Sequence, residues 1–119
     1  MKFRQVAQRI TELDRAVNFY NRILNQQPIA VFDPPGFAFY NLEGVRLFLD
    51  VNAPSSLLYL EVADVRETIE ELRAEGFEIS TEPHVVFPDE GGVFDVPGDE
   101  WLAFVTDSEG NQLGLMSRN

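Results

Sequence analysis

The sequence predicts an α+β chain in which one βαβββ unit is used twice in tandem. Two observations carry this expectation. An amphipathic helix signal occurs once after Thr11 and again after Asp64, and each is followed by short runs of β-type residues separated by turn residues. The two halves also superpose as patterns. A shift of 52 residues lays Ile10, Leu13, Val17 and Tyr20 on Val62, Val65, Ile69 and Leu72, and a shift of 66 lays Glu43-Gly44 on Glu109-Gly110 and Leu47 and Leu49 on Leu113 and Leu115. A chain of 119 residues is then one domain, 1–119, of two pseudo-repeated modules at about 1–52 and 53–119.

In the first module, Phe3 to Ile10 reads as a strand. Thr11-Glu12-Leu13-Asp14 has the spacing of a capping box, with Asp14 in the place of the usual Glu or Gln, so Thr11 is expected to open the helix. Leu13, Val17, Tyr20 and Leu24 recur at helical spacing and form the expected buried stripe. Asn25 is the stop, and Pro28 blocks continuation. Strands follow at Ile29–Phe32, Phe37–Leu42 and Val45–Val51, with turns at Pro34-Pro35-Gly36 and Glu43-Gly44; connections this short favour antiparallel pairing. Asn52–Ser56 is the one linker-like segment.

In the second module, Leu57–Val62 is a strand and Asp64 an N-cap with Glu67 at the third helical position. Val65, Ile69 and Leu72 supply the stripe, and Gly76 ends the helix. Strands are expected at Phe77–Ser80, His84–Phe87, Trp101–Thr106 and Leu113–Met116. Turns fall at Pro88–Gly92, Pro97–Asp99 and Asp107–Asn111. The 14 residues by which this half is longer are assigned to a hairpin at Asp89–Asp99.

Net charge is −11, from 20 acids and 9 bases, which disfavours nucleic acid and anionic membrane surfaces as partners. The charge is uneven: residues 1–52 hold six bases and five acids, whereas residues 53–119 hold three bases and fifteen acids. Such an excess keeps a surface solvated, or attracts a cationic ligand. With no cysteine, a disulfide framework, thiolate chemistry and a cysteine-built zinc site are excluded. No apolar run approaches the ~18 residues needed to span a bilayer, and the expected location is the cytoplasm. The lone His84 forbids any site needing two imidazoles, and nothing around it has the spacing of a Ser–His–Asp triad.

Four segments then carry a family resemblance: Gln5–Ile10, Leu13–Tyr20, Glu61–Val65 and Phe104–Leu113. In this order and spacing they resemble the vicinal oxygen chelate superfamily, which includes glyoxalase I, bleomycin-resistance proteins, extradiol dioxygenases and methylmalonyl-CoA epimerase. The resemblance covers nearly the whole chain. It implies that the two βαβββ modules curve into an open, incompletely closed mixed β-barrel with the helices outside, and that the protein is a homodimer.

Enzymes of that family hold a divalent metal with His and Glu side chains on the first and last strands of each module. Carried onto this sequence, those positions are Gln5, Phe48, Leu57 and Gly114. Phe, Leu and Gly offer no lone pair and Gln one weak neutral oxygen, so no metal and no other cofactor is expected. The matched strands point one side-chain set inward: Gln5, Ala7 and Arg9; Arg46, Phe48 and Asp50; Leu57, Tyr59 and Glu61; Gln112, Gly114 and Met116. This is a mostly apolar floor with a few polar groups, the composition of a small-molecule pocket. Phe48 and Tyr59 offer flat faces, Gly114 leaves room, and Met116 adapts. Arg9 and Glu61 occupy matching places, either to meet charges on a ligand or to pair with each other. Trp101 is either a core or interface residue or a stacking one.

The candidate ligand-binding set is therefore Gln5, Arg9, Phe48, Leu57, Tyr59, Glu61, Trp101, Gly114 and Met116. The leading expectation is a metal-free binder that sequesters an unknown small molecule, cationic or aromatic. The alternatives are a metal-dependent glyoxalase-, dioxygenase- or epimerase-type enzyme with relocated ligands, and a non-catalytic interaction module.

Overall fold

The computed structural model describes residues 1–94 and 97–119. It contains two helices and two four-stranded mixed sheets, and neither sheet closes into a barrel among the described residues. The chain divides into two compact units. The first is Met1–Ser56 together with Ser108–Asn111; the second is Leu57–Asp107 together with Gln112–Asn119.

The first unit comprises β1 (Gln5–Arg9), α1 (Leu13–Leu24), β2 (Ala30–Phe32), β3 (Phe37–Leu42) and β4 (Val45–Asp50). The sheet order is β1-β4-β3-β2, with β1 parallel to β4 and the other pairs antiparallel. Strand alternation buries Ala38 and Tyr40 of β3 and Leu47 and Leu49 of β4 on one face. The buried residues of α1 are Leu13, Ala16, Phe19 and Tyr20. The expected stripe is thus rotated: Val17 and Leu24 lie at its margins, half-buried, and the small Ala16 lies at its centre. Tyr40 is fully buried; its hydroxyl donates to the Val17 carbonyl at 3.2 Å and lies 2.8 Å from the Asn21 side-chain amide. Burial pushes its pKa up to about 12.

Asn25 ends α1 in the left-handed region, as its place in the sequence predicts. Glu43 and Gly44 both have positive φ, which suits the tight hairpin between β3 and β4. The N-terminus of α1 differs from expectation. The N-cap is Glu12, whose own side chain makes no cap bond. Glu109 supplies it instead: its Oε1 accepts from the backbone N–H of Thr11 and of Glu12, both at 2.7 Å, and from the Thr11 hydroxyl at 2.8 Å. Thr11 is therefore a donor to the cap rather than the cap.

Linker residue Ser56 is tied to β1. The buried Gln8 donates to the Ser56 carbonyl at 3.1 Å and accepts from its N–H at 2.8 Å, and the Ser56 hydroxyl donates to the Ala7 carbonyl at 2.7 Å. These bonds satisfy backbone groups that no ladder reaches.

The second unit comprises β5 (Leu58–Glu61), α2 (Val65–Ala74), β6 (Glu78–Asp89), β7 (Gly98–Thr106) and β8 (Gln112–Arg118). Its order, β5-β8-β7-β6 with β5 parallel to β8, repeats that of the first sheet. Helix α2 follows its local signals closely. Asp64 caps it by accepting from the Arg66 N–H at 2.9 Å, Val65, Ile69 and Leu72 are buried, and Gly76 follows the C-cap with φ of 89°.

The strands after α2 are longer than expected. Phe77–Ser80 and His84–Phe87 are parts of one edge strand, β6, which continues through Pro83 with three register shifts. An edge position tolerates the missing N–H of proline, and each irregularity absorbs a residue that would otherwise break the ladder. Likewise β7 begins at Gly98, inside the expected Pro97–Asp99 turn. The expected Asp89–Asp99 hairpin includes residues outside the described ones; its described part holds the end of β6 and the start of β7.

Candidate ligand-binding site

Strand register decides which side chains share a face. In the second unit, Tyr59 pairs with Gly114, Glu61 with Met116, Leu102 with Met116, Phe104 with Gly114, and Glu100 with Arg118. Leu113 and Leu115 alternate with these and are buried on the opposite side. A cavity of about 380 Å³ opens on the Tyr59–Met116 side, lined by Tyr59, Leu60, Glu61, Phe94, Glu100, Met116, Ser117 and Arg118. This volume lies at the small end of the ~300–1,000 Å³ range of ligand clefts.

The charges in this cavity are unequally engaged. Arg118 donates to Asp89 Oδ2 at 3.1 Å and to Glu100 Oε1 at 3.2 Å, and its guanidinium lies 5.7 Å from the Phe94 ring centroid. Asp89 is buried, and burial pushes its pKa up. The N–H groups of Phe94 and Val93 and the Arg118 guanidinium outweigh that and hold it below the usual carboxylate range. The Glu61 side chain, by contrast, has neither hydrogen bond nor ion pair among the described residues. The other bases of this unit are also paired, Arg66 with Asp64 and Arg73 with Glu70 and Glu82. The unit has 14 carboxylates against three arginines, net −11, so its unbalanced charge is negative.

Three of the expected binding residues, Tyr59, Glu61 and Met116, thus line one cavity. The others stand elsewhere. Gly114 leaves no room, contrary to expectation, because the Tyr59 ring occupies it: a Cβ there would lie 2.6 Å from Tyr59 Cδ1 and 3.3 Å from Phe104 Cε1. Leu57 precedes β5 and is 52% exposed. Trp101 pairs with Ser117 across the sheet, and its ring lies under the Arg66 guanidinium, 4.4 Å away, rather than in the cavity wall.

The remaining candidates belong to the first unit. Gln5 accepts from Arg46 Nε at 2.9 Å. Phe48 stacks on Phe39 with centroids 4.7 Å apart and meets Phe37 at 5.3 Å; Phe32 adds a fourth ring, 5.4 Å from Phe37. Arg9 is exposed on the β1 edge, opposite Asp50 in register. The alternation Phe37-Ala38-Phe39-Tyr40 was the signal that could have added Phe37 and Phe39 to Phe48. Phe94, Glu100 and Arg118 had no comparable local signal.

The donor set does not fit the metal that the family's enzymes use. In the first unit the Gln5 oxygen is engaged by Arg46, and Phe48 lies within an aromatic cluster. In the second, Leu57 has no donor and the place of a carboxylate at Gly114 is covered by a ring. No group of three or more His, Asp or Glu side chains able to hold a metal ion occurs among the described residues.

The family model described as Glyoxalase/Bleomycin resistance protein/Dioxygenase superfamily matches residues 2–115. The chain belongs to that superfamily. No curated protein matches it by sequence. Among solved structures, lactoylglutathione lyase from Agrobacterium tumefaciens superposes with a TM-score of 0.73 at 17% identity, covering 97% of this chain and 92% of that one. TioX from Micromonospora sp. ML1 superposes at 0.71 with 18% identity, covering all of both chains. A glyoxalase I mutant from Zea mays superposes at 0.68 with 20% identity; it covers 97% of this chain, which spans 44% of that protein. At these identities the likeness is one of fold. No helix among the described residues is long and apolar enough to cross a membrane.

Proposed function

We propose that the protein is a small-molecule binder and that the cavity of its second unit takes up a flat, positively charged compound without metal-dependent chemistry. The observation that carries this reading is Glu61, a carboxylate without a partner among the described residues, in a wall shared with Tyr59, Phe94 and Met116. An aromatic face attracts a cation through its quadrupole, and the carboxylate adds the opposite charge. Arg118, the one cation among the described residues of the wall, is already balanced by Asp89 and Glu100. The cavity itself weighs against an interaction module whose cleft is filled by its own side chains. In this reading the protein works in the cytoplasm as a homodimer, with neither nucleic acid nor membrane as partner; the net charge of −11 supports the last point.

Titration with ethidium, a flat cation, and with anilinonaphthalene sulfonate, a flat anion, tests the proposal. Ethidium is expected to bind, to weaken as salt is added, and to weaken about two- to fivefold in Glu61→Gln, the range of a solvent-exposed charge pair. No heat with ethidium, or equal binding of both dyes, overturns it. The competing reading, a metal-dependent enzyme with relocated ligands, draws on the likeness to lactoylglutathione lyase. Elemental analysis of protein dialysed against nickel and zinc separates the two, since one retained equivalent favours the enzyme.

A further inference from the structure

The cavity wall contributed by Phe94 comes from the loop after β6, and its position needs a cause, because Phe94 is 56% exposed. The geometry points to Asp89 as the residue that positions it, with Arg118 as its anchor; this inference rests on reading the cavity as the binding site. The Asp89 side chain is fully buried, unusual for a carboxylate so close to a loop. Its Oδ1 accepts from the Val93 N–H at 2.7 Å and its Oδ2 from the Phe94 N–H at 2.9 Å. Oδ2 also accepts from Arg118 at 3.1 Å. One carboxylate therefore fastens two consecutive backbone groups of the loop to β8, which bears Arg118 on its last residue.

The consequence is a wall fixed from behind. Phe94 meets Phe87 edge-on, with centroids 6.1 Å apart, and stands beside the Arg118 guanidinium. Among the described residues the ring is thus braced by Phe87 and the Arg118 guanidinium, while its backbone is held by Asp89. Asp89 does not line the cavity that Phe94 and Arg118 line. It acts on a ligand through the position of Phe94 and through the charge balance of Arg118, which separates its role from direct contact.

A double-mutant cycle read by ethidium titration at high salt, which screens the Arg118 charge that Asp89→Asn leaves less balanced, tests this. Asp89→Asn and Phe94→Leu are each expected to weaken binding about fivefold, the worth of one aromatic contact, and the double variant no more than either alone. If Asp89→Asn weakens binding further when Phe94 is already Leu, the positioning role is overturned. Hydrogen exchange gives a second measurement that needs no ligand. The Val93 and Phe94 amides are expected to be protected in the native chain and to lose protection in Asp89→Asn, with the α2 amides unchanged. Unprotected amides in the native chain overturn the inference by themselves. Native protein that fails to bind ethidium while keeping the two amides protected refutes the proposed ligand class and leaves the positioning by Asp89 supported.

Discussion

Glu109 Oε2 accepts a hydrogen bond from Arg15 Nε at 2.8 Å while its other oxygen caps α1, the helix on which Arg15 lies. A carboxylate 98 positions away in sequence from Thr11 thereby closes a helix terminus that local sequence leaves open. The turn that bears it is seated in the first unit by Asn111, which donates to the Arg9 carbonyl at 2.8 Å and accepts from Ser55 at 2.9 Å.

Replacing Glu109 should therefore destabilise the chain as a lost cap does. Glu109→Ala is expected to cost about 1–3 kcal/mol, a cap together with a charge-assisted bond. Thr11→Ala, which removes one donor, should cost less. Chemical denaturation of the three proteins measures both.

The same carboxylate makes stability depend on acid. Burial pushes the Glu109 pKa up, but the Arg15 guanidinium and the N–H groups of Glu12 and Thr11 outweigh it and bring it down to about 2, against the ordinary 4.5. A group whose folded pKa is depressed contributes fully above its unfolded pKa and loses that contribution as pH falls towards the folded one. The stability gap between native protein and Glu109→Gln should then close between pH 4.5 and about 2. A gap that stays constant through that window counts against the assignment.

At Gly114, a methyl group should collide with the Tyr59 ring. Gly114→Ala is expected to destabilise by about 1–3 kcal/mol, the usual range for overpacking, and Tyr59→Ala should remove most of that penalty when combined with it. Thermal unfolding of the single and double variants reads the coupling. Additive losses would mean that the ring is not what fills the space.

Tyr40 gives an alkaline counterpart to Glu109. Its folded pKa of about 12 exceeds the ordinary 10.0, so the neutral phenol is favoured in the folded state. Its contribution is present below pH 10.0 and should fade as pH rises towards about 12. Tyr40→Phe should lack that component of the decline and should cost about 1 kcal/mol at neutral pH for the lost hydroxyl bond. Denaturation midpoints measured on both sides of pH 10.0 test this.

Features decided within one turn of chain were legible in the sequence. Asp64, Asn25, Gly76 and the Glu43-Gly44 hairpin stand where their chemistry puts them. Alternation also placed Leu47 and Leu49 on one side and Phe48 on the other. What depended on distant partners was not legible. Thr11 resembles a cap, and only folding shows that Glu109 does the work. Pro83 resembles a strand breaker until β6 is seen at a sheet edge. Within the candidate site, register brings Tyr59, Glu61 and Met116 together as alternation implies. Phe94 joins them only because Asp89 binds two amides and Arg118 at once, which no spacing rule announces.

The irregular course of β6 has a bearing on how the protein keeps company with itself. Val85, Val86 and Phe87 leave an oily rim along that border. A straight ribbon so exposed would invite neighbouring chains to zip alongside it and grow into fibrils. Two prolines, Pro83 and Pro88, and three slips of registry spoil the row of free amides such stacking needs. Smoothing those flaws away would leave a regular apolar edge open to pairing with other copies.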